Sequence, residues 1–201
     1  MITSSSFLML SLVVWTGGGA GLGHLTAGPD TACIVMEIPT EGRLSPLDSL
    51  SFDVGGHPVK ICYGRPSARG RTMIGGHDVP YGRLWRMGAN EPTMIHTTAP
   101  IKVAGIELEK GSYSLYALPG EEEWILILNR SITQWGHIAS YNYKVKEQEI
   151  GQAVLERGWP ENHVETMTFR TEPGSESQVI LVLEWEQSRV RIPIEAVATG
   201  G

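Results

Sequence analysis

Residues 179–194 read VILVLEWEQSRVRIPI, and their pattern decides the fold class. Val179, Leu181, Leu183 and Trp185 recur at every second position, with Glu184 and Glu186 among the residues between and after them. Beyond a short Gln187-Ser188 turn, Val190, Ile192 and Ile194 alternate with Arg189, Arg191 and Glu195. A period of two places successive side chains on opposite faces of an extended chain, so each run buries one face and wets the other. Two such runs joined by a tight connection make an antiparallel hairpin.

The same reading repeats upstream. Val59, Ile61 and Tyr63 alternate with Lys60 and Cys62, and Ile101/Val103 and Ile106/Leu108 flank Ala104-Gly105 at the spacing of a two-residue hairpin. Tyr113–Leu118 follows a Glu109-Lys110-Gly111 turn, and the wholly apolar Trp124–Leu128 reads as a central strand buried on both faces. One stretch has a helical pattern: Glu147–Arg157 sets Ile150, Val154 and Leu155 on one face, with Gly158 as a C-terminal cap and Pro160 as a stop. Short strands of this kind with one short surface helix predict an all-β fold, a two-sheet β-sandwich of jelly-roll type, with a partly closed barrel as the main alternative.

The length of 201 residues suits one domain. Residues 1–20 read as a signal peptide, 21–44 as an N-terminal segment holding a first strand, 45–196 as the sandwich, and 197–201 as a flexible tail. The leader rests on the nine-residue apolar run Phe7–Trp15, too short to span a bilayer, and on the small residues Gly18 and Ala20 before a cleavage point near Ala20. No cysteine follows it closely enough for a lipid anchor, so the expected location is periplasmic or secreted with no stable membrane anchor. A net charge of −6 excludes a general nucleic-acid binder, which needs a cationic surface. Cys33 and Cys62 are the only cysteines. In an oxidising compartment they can pair, closing a loop of about 30 residues for roughly 3–4 kcal/mol; two small buried thiols are the alternative.

Residues 64–91, GRPSARGRTMIGGHDVPYGRLWRMGANE, break the strand pattern. They hold six glycines, two prolines and five arginines against only Asp78 and Glu91, a cationic loop on an acidic scaffold. Long loops of this sort are where function usually sits. The strings Tyr63-Gly64-Arg65-Pro66, Ile74-Gly75-Gly76 and above all Pro80-Tyr81-Gly82-x-x-Trp85-Arg86-x-Gly88-Ala89-Asn90-Glu91-x-Thr93 lie in or beside it. With Gly111-x-Tyr113-Ser114-Leu115-Tyr116, Gln134-Trp135-Gly136 and Trp185-Glu186, they resemble the exported bacterial family catalogued as domain of unknown function 2911. The resemblance runs from about Ser45-Pro46 to Ile194 and implies an exported β-rich domain, with no activity attached.

Guanidinium groups hold carboxylates and phosphates through paired hydrogen bonds, and neighbouring aromatic rings stack on sugars or planar ligands. Arg65, Arg71, Tyr81, Trp85, Arg86, Asn90 and Trp135 are therefore the candidate ligand-binding residues, for a small anionic or glycan ligand. The competing reading is structural: arginines pair with acids and satisfy the backbone of an irregular loop. Glu91 is the candidate general base, provided that its pKa is raised, and Arg86, five residues away, reads as its ion-pair partner. Among His57, His77, Asp78, His96 and His137 no metal-ligand spacing appears, and no phosphate-cradling motif or nucleophile elbow is present, so no metal or cofactor is expected. Three readings stay open: a binding module, a hydrolase or isomerase built on Glu91 with Arg86 and Tyr81, and a structural envelope protein. Intact-mass measurement of protein from its native host should give a mature N-terminus between Gly19 and Gly28; an intact Met1 would contradict the leader.

Overall fold

A computed structural model describes residues 32–197. The expected leader and its cleavage point lie outside the described residues, as do 198–201. The described residues form eleven strands: β1 (Leu47–Val54), β2 (His57–Gly64), β3 (Thr93–Thr97), β4 (Ile101–Val103), β5 (Ile106–Leu108), β6 (Gly111–Leu118), β7 (Glu123–Asn129), β8 (Glu149–Gly158), β9 (Val164–Pro173), β10 (Gln178–Glu186) and β11 (Ser188–Ala196). A 3-10 turn (Ile138–Ser140) and the one-turn helix α1 (Tyr143–Lys146) precede β8. No strand occurs in 32–44, so the first strand expected before residue 45 is absent from that described part.

Among the described residues these strands pair antiparallel throughout. The hydrogen-bonded order is β1-β2-β3-β6-β7-β8-β11-β10-β9, with β4 pairing both β11 and β5. This is one sheet nearly closed into a barrel, and it corrects the two-sheet sandwich. The corner explains why: β8 runs along β7 and then passes to β11 through Arg157↔Val190 and Gly158↔Arg189, so two would-be layers share a strand.

The helix expected over Glu147–Arg157 is this same β8, and the real helix lies just before it. A bulge between Leu128 and Asn129 shifts the register of β8 and leaves Ile150 unpaired. Below the bulge the residues opposite the buried Leu128, Leu126 and Trp124 are Gly151, Ala153 and Leu155. The bulge breaks the period of two, and small residues occupy the inward positions where alternation would otherwise be visible. Ile106 of β5 packs where a side chain at Gly151 would lie. Val154, which completed the helical pattern, points outward and is exposed.

The remaining expectations for the strands hold. Ala104 and Gly105 take φ of 49° and 80°, the left-handed pair that a two-residue hairpin turn demands. β10 and β11 pair from Gln178↔Glu195 to Trp185↔Ser188, so the turn is Glu186-Gln187, one residue earlier than the alternation suggests. β7 lies between β6 and β8 in mid-sheet.

Three tryptophans organise one end of the barrel. Trp124 of β7 meets Trp85 edge to face at 5.7 Å between ring centroids, and Trp85 stacks on Trp185 of β10 at 5.9 Å. Trp85 belongs to the long 64–91 loop. It reaches this position because Trp85 and Ala117 exchange both backbone hydrogen bonds at 2.8 Å, extending the sheet past the end of β3.

β1 and β9, the two ends of the sheet path, are joined by other means. The chain after β2 turns alongside β9: Met167 N–H donates to the Pro66 carbonyl and Ala68 N–H to the Glu165 carbonyl, both at 2.9 Å. Next to this bridge, Arg65 donates through Nε to the Met167 carbonyl (3.1 Å) and through Nη2 to Thr168 Oγ1 (2.9 Å). Tyr63 hydroxyl accepts the Phe169 N–H and donates to Asp48 Oδ2, each at 3.3 Å. Arg65, a ligand candidate by sequence, is thus part of the seam. Tyr63→Phe strips a buried backbone donor of its acceptor and should cost about 1–3 kcal/mol in denaturant unfolding; an unchanged midpoint would show the seam to be held elsewhere.

Candidate functional site

The 64–91 loop lies over the tryptophan end of the barrel, pinned at two acids. Glu186 takes φ of 52° in the β10–β11 turn and accepts the amides of Met73 (3.0 Å) and Ile74 (2.8 Å) on its buried carboxylate. Glu91 holds the other end. Its carboxylate is clasped by Arg43, Nη1 to Oε2 at 2.8 Å and Nη2 to Oε1 at 2.9 Å, and Met36 N–H adds a bond of 2.7 Å to Oε1. The Arg43 guanidinium also donates to the carbonyls of Pro39 and Ile38. Both side chains are almost sealed, 2 % and 3 % exposed.

This placement corrects two expectations. The partner of Glu91 is Arg43, not Arg86. Burial pushes the Glu91 carboxyl up, but the Arg43 fork and the Met36 amide outweigh it and leave the pKa below its ordinary value. A general base needs the opposite shift and a free lone pair. Nothing in the sequence marked Arg43, which lies outside the loop in an irregular segment. That segment is tied down again by the Cys33–Cys62 disulfide, whose Cα atoms are 5.7 Å apart, which settles the cysteine alternatives in favour of pairing.

The other candidates separate by the contacts they make. Asn90, in a left-handed conformation, donates from Nδ2 to the Ser45 carbonyl at 3.0 Å. Tyr81 lies toward Arg157, whose Nη1 approaches its hydroxyl at 3.5 Å. Trp135 is half-buried. None of these three, nor Glu91 or Arg65, lines the cleft that opens beside the loop.

That cleft has two adjoining lobes of about 310 and 420 Å³, which share Asp78, Trp85, Arg86 and His137. The smaller is walled by Pro80, Leu84 and Ile138 with Arg83; the larger continues past Arg71 and His77. Arg71, Trp85 and Arg86 are the sequence candidates found here, while Arg83, Leu84, His137 and Ile138 line the cleft without having been picked from the sequence. Arg71 is already paired with Asp78 at 2.8 Å. His137 accepts the Ala139 N–H on Nδ1 (3.2 Å), which in the neutral ring leaves the proton on Nε2. His96, the one buried histidine among the described residues, lies elsewhere, bonded through Nδ1 to Ser112, and its pKa is lowered by burial and Lys60. No group of three metal-ligating side chains gathers among the described residues.

Arg86 differs from every other arginine of the loop's interior. Nη1 donates to the Gly136 carbonyl at 3.2 Å, while Nε is buried with no acceptor, and among the described residues no carboxylate lies within ion-pair distance. Nε and Nη2 form one edge of the guanidinium, the edge that takes a carboxylate or phosphate with two parallel bonds. Burial lowers the Arg86 pKa, offset in part by Tyr116 and Glu91. Gly136 explains the turn beside it: a Cβ there would overlap the Asn90 carbonyl and Arg86 Cδ. The turn at 134–136 is itself held by Gln134, which donates from Nε2 to Tyr116 hydroxyl at 2.8 Å and accepts from Ser131 Oγ at 2.6 Å.

A family model described as protein of unknown function, DUF2911, matches residues 45–194. The chain belongs to that family. No curated protein and no solved structure matches it. The family match begins at Ser45 and so leaves out Arg43, the residue that neutralises Glu91.

Removing one member of a buried ion pair leaves the other charge unpaired, so Glu91→Gln should cost about 3–5 kcal/mol. A double-mutant cycle with Arg43→Met should show strong coupling, and one with Arg86→Met far less. Because the Glu91 pKa is lowered by folding, its contribution is complete above the ordinary carboxylate value of 4.5 and is lost as pH falls below it. Unfolding between pH 3 and pH 6 should therefore be less pH-dependent in Glu91→Gln than in the native chain.

Proposed function

We propose that the cleft binds a small organic anion, with its acidic group on Arg86 and its carbon skeleton against Leu84, Trp85 and Ile138. The observation that carries this reading is the Nε–Nη2 edge of Arg86. A guanidinium N–H withdrawn from water without an acceptor, as Arg86 Nε is, is costly, and an arriving carboxylate or phosphate would supply that acceptor. Arg83 and the Nε2–H of His137 add donors along the same wall. The lining mixes cations with apolar groups, which favours an anion with an organic body over a bare inorganic ion or a neutral sugar.

The reaction-based reading has less behind it, since the Glu91 carboxylate is occupied by Arg43 and Met36 and does not line the cleft. Export from the cytoplasm fits the disulfide, a bond of oxidising compartments. Among the described residues no helix is long and apolar enough to cross a membrane.

Thermal unfolding of the protein with benzoate, glucuronate, a sugar phosphate, inorganic phosphate and glucose tests the proposal. An organic anion at about 100 times its Kd stabilises by about 2.7 kcal/mol, a rise in Tm of about 5–10 °C at this chain length. Arg86→Met should remove that rise while keeping the fold. No rise with any organic anion, or an equal rise in Arg86→Met, would overturn it.

A further inference from the structure

We infer that residues 32–44 form a redox-released clasp on the floor of the cleft. The regulatory meaning of the clasp rests on the anion-binding reading, but its mechanics do not. The segment contains no strand or helix; beside the bond from Arg69 Nη2 to the Leu44 carbonyl at its end, two attachments of different chemistry fix it. One is covalent, Cys33 to Cys62 of β2. The other is polar, with Met36 N–H and the Arg43 fork closing on Glu91.

Glu91 transmits the state of the segment to the cleft because of what its neighbours touch. The backbone at Asn90 and Glu91 presses on Gly136 so closely that no side chain fits there. The Gly136 carbonyl is the acceptor for Arg86 Nη1 (3.2 Å), and the Arg86 carbonyl accepts Thr93 N–H at 3.0 Å. Gly136 and Arg86 both line the cleft. Segment, Glu91, Gly136 and Arg86 are thus in series, each step a direct contact.

The release step is thiol–disulfide exchange with a dithiol. Cys33 is half-buried and Cys62 fully buried, so the more open sulfur is Cys33 Sγ. One thiolate of the dithiol attacks Cys33 Sγ and Cys62 leaves as thiolate; the second thiolate then attacks the mixed disulfide and frees Cys33. The dithiol departs as its cyclic disulfide, and the protein gains two electrons and, at neutral pH, two protons. The untied segment is then held by the Glu91 contacts and, at its far end, by Arg69 Nη2 on the Leu44 carbonyl (2.6 Å). When these open, a carboxylate loses its counter-cation beside Gly136, and the support beneath Arg86 loosens.

Two readouts on the full protein, oxidised and after treatment with a dithiol, test this without any ligand. Trypsin cleavage of the Arg43–Leu44 bond reports the segment, since Arg43 is sequestered while clasped. Hydrogen exchange of peptides covering 84–93 and 133–139 reports the floor of the cleft, and peptides from β7 and β10 report the core. The expected result is at least tenfold faster cleavage and at least tenfold faster exchange in the two cleft peptides, with core peptides unchanged. Cys33→Ser should reproduce this without reductant. Unchanged cleavage, faster cleavage with unchanged cleft exchange, or equal loss of core protection would each overturn the clasp. Thermal unfolding of the oxidised protein with benzoate, glucuronate and the sugar phosphate separates the two proposals: no rise with any of them, beside the expected exchange pattern, rejects the anion reading and leaves the clasp standing.

Discussion

The packing of Trp85 between Trp124 and Trp185 is the contact on which the rest of this architecture depends. A barrel of antiparallel strands has two open ends, and a Gly-rich loop with no regular structure is poorly suited to closing one. Inserting a single large ring from the loop into the core solves both problems: the end is filled, and the loop acquires a fixed point. From that point the chain runs back to Glu186 on one side and forward to Glu91 on the other, and the cleft is the space left between the loop and the turn at 134–136.

The five arginines of the loop divide by the acceptor each finds. Arg65 is used up at the barrel seam, Arg69 donates to the Leu44 carbonyl, and Arg71 pairs with Asp78. Arg83 and Arg86 line the cleft. Equal residue types therefore serve unequal roles, and the difference is set by whether a carbonyl, hydroxyl or carboxylate lies within reach. Outside the loop the same logic builds a ladder on the outer face of β9, β10 and β11, where Arg170 and Arg189 share Glu184 and Arg170 and Arg191 share Glu172. The first cause there is the Arg170 hydrogen bond to each acid, which, with the other arginines, holds both carboxyls below their ordinary range.

Alternation made the strands legible, because burial on one face leaves a local mark at every second residue. β10 and β11, the hairpin at Ala104-Gly105 and the central β7 could all be placed from sequence. β8 could not, since a bulge and inward-facing Gly151 and Ala153 erase the mark, and the closure that turns layers into a barrel depends on pairings between distant segments. The loop stands out in the sequence by its cations, and of the residues picked there Arg71, Trp85 and Arg86 line the cleft. Local sequence says nothing about who meets whom, however. Arg43 lies 48 residues from Glu91, so the nearer Arg86 was the natural but mistaken choice. His137 and Ile138 enter the cleft only because the turn before them is drawn in by Gln134.

The bridge between Ser67 and Thr166 also bears on the order of assembly. It joins residues 99 apart in sequence, while β1 with β2, β6 with β7 and β10 with β11 are joined by short connections. Entropy of loop closure delays distant contacts until local hairpins have made them worthwhile. The seam is therefore a late event in folding, formed after the transition state has committed most of the sheet. Interactions formed that late govern how quickly the native protein comes apart more than how quickly it forms. Tyr63, Arg65 and the Pro66–Ala68 bridge thus bear on how long the native barrel lasts.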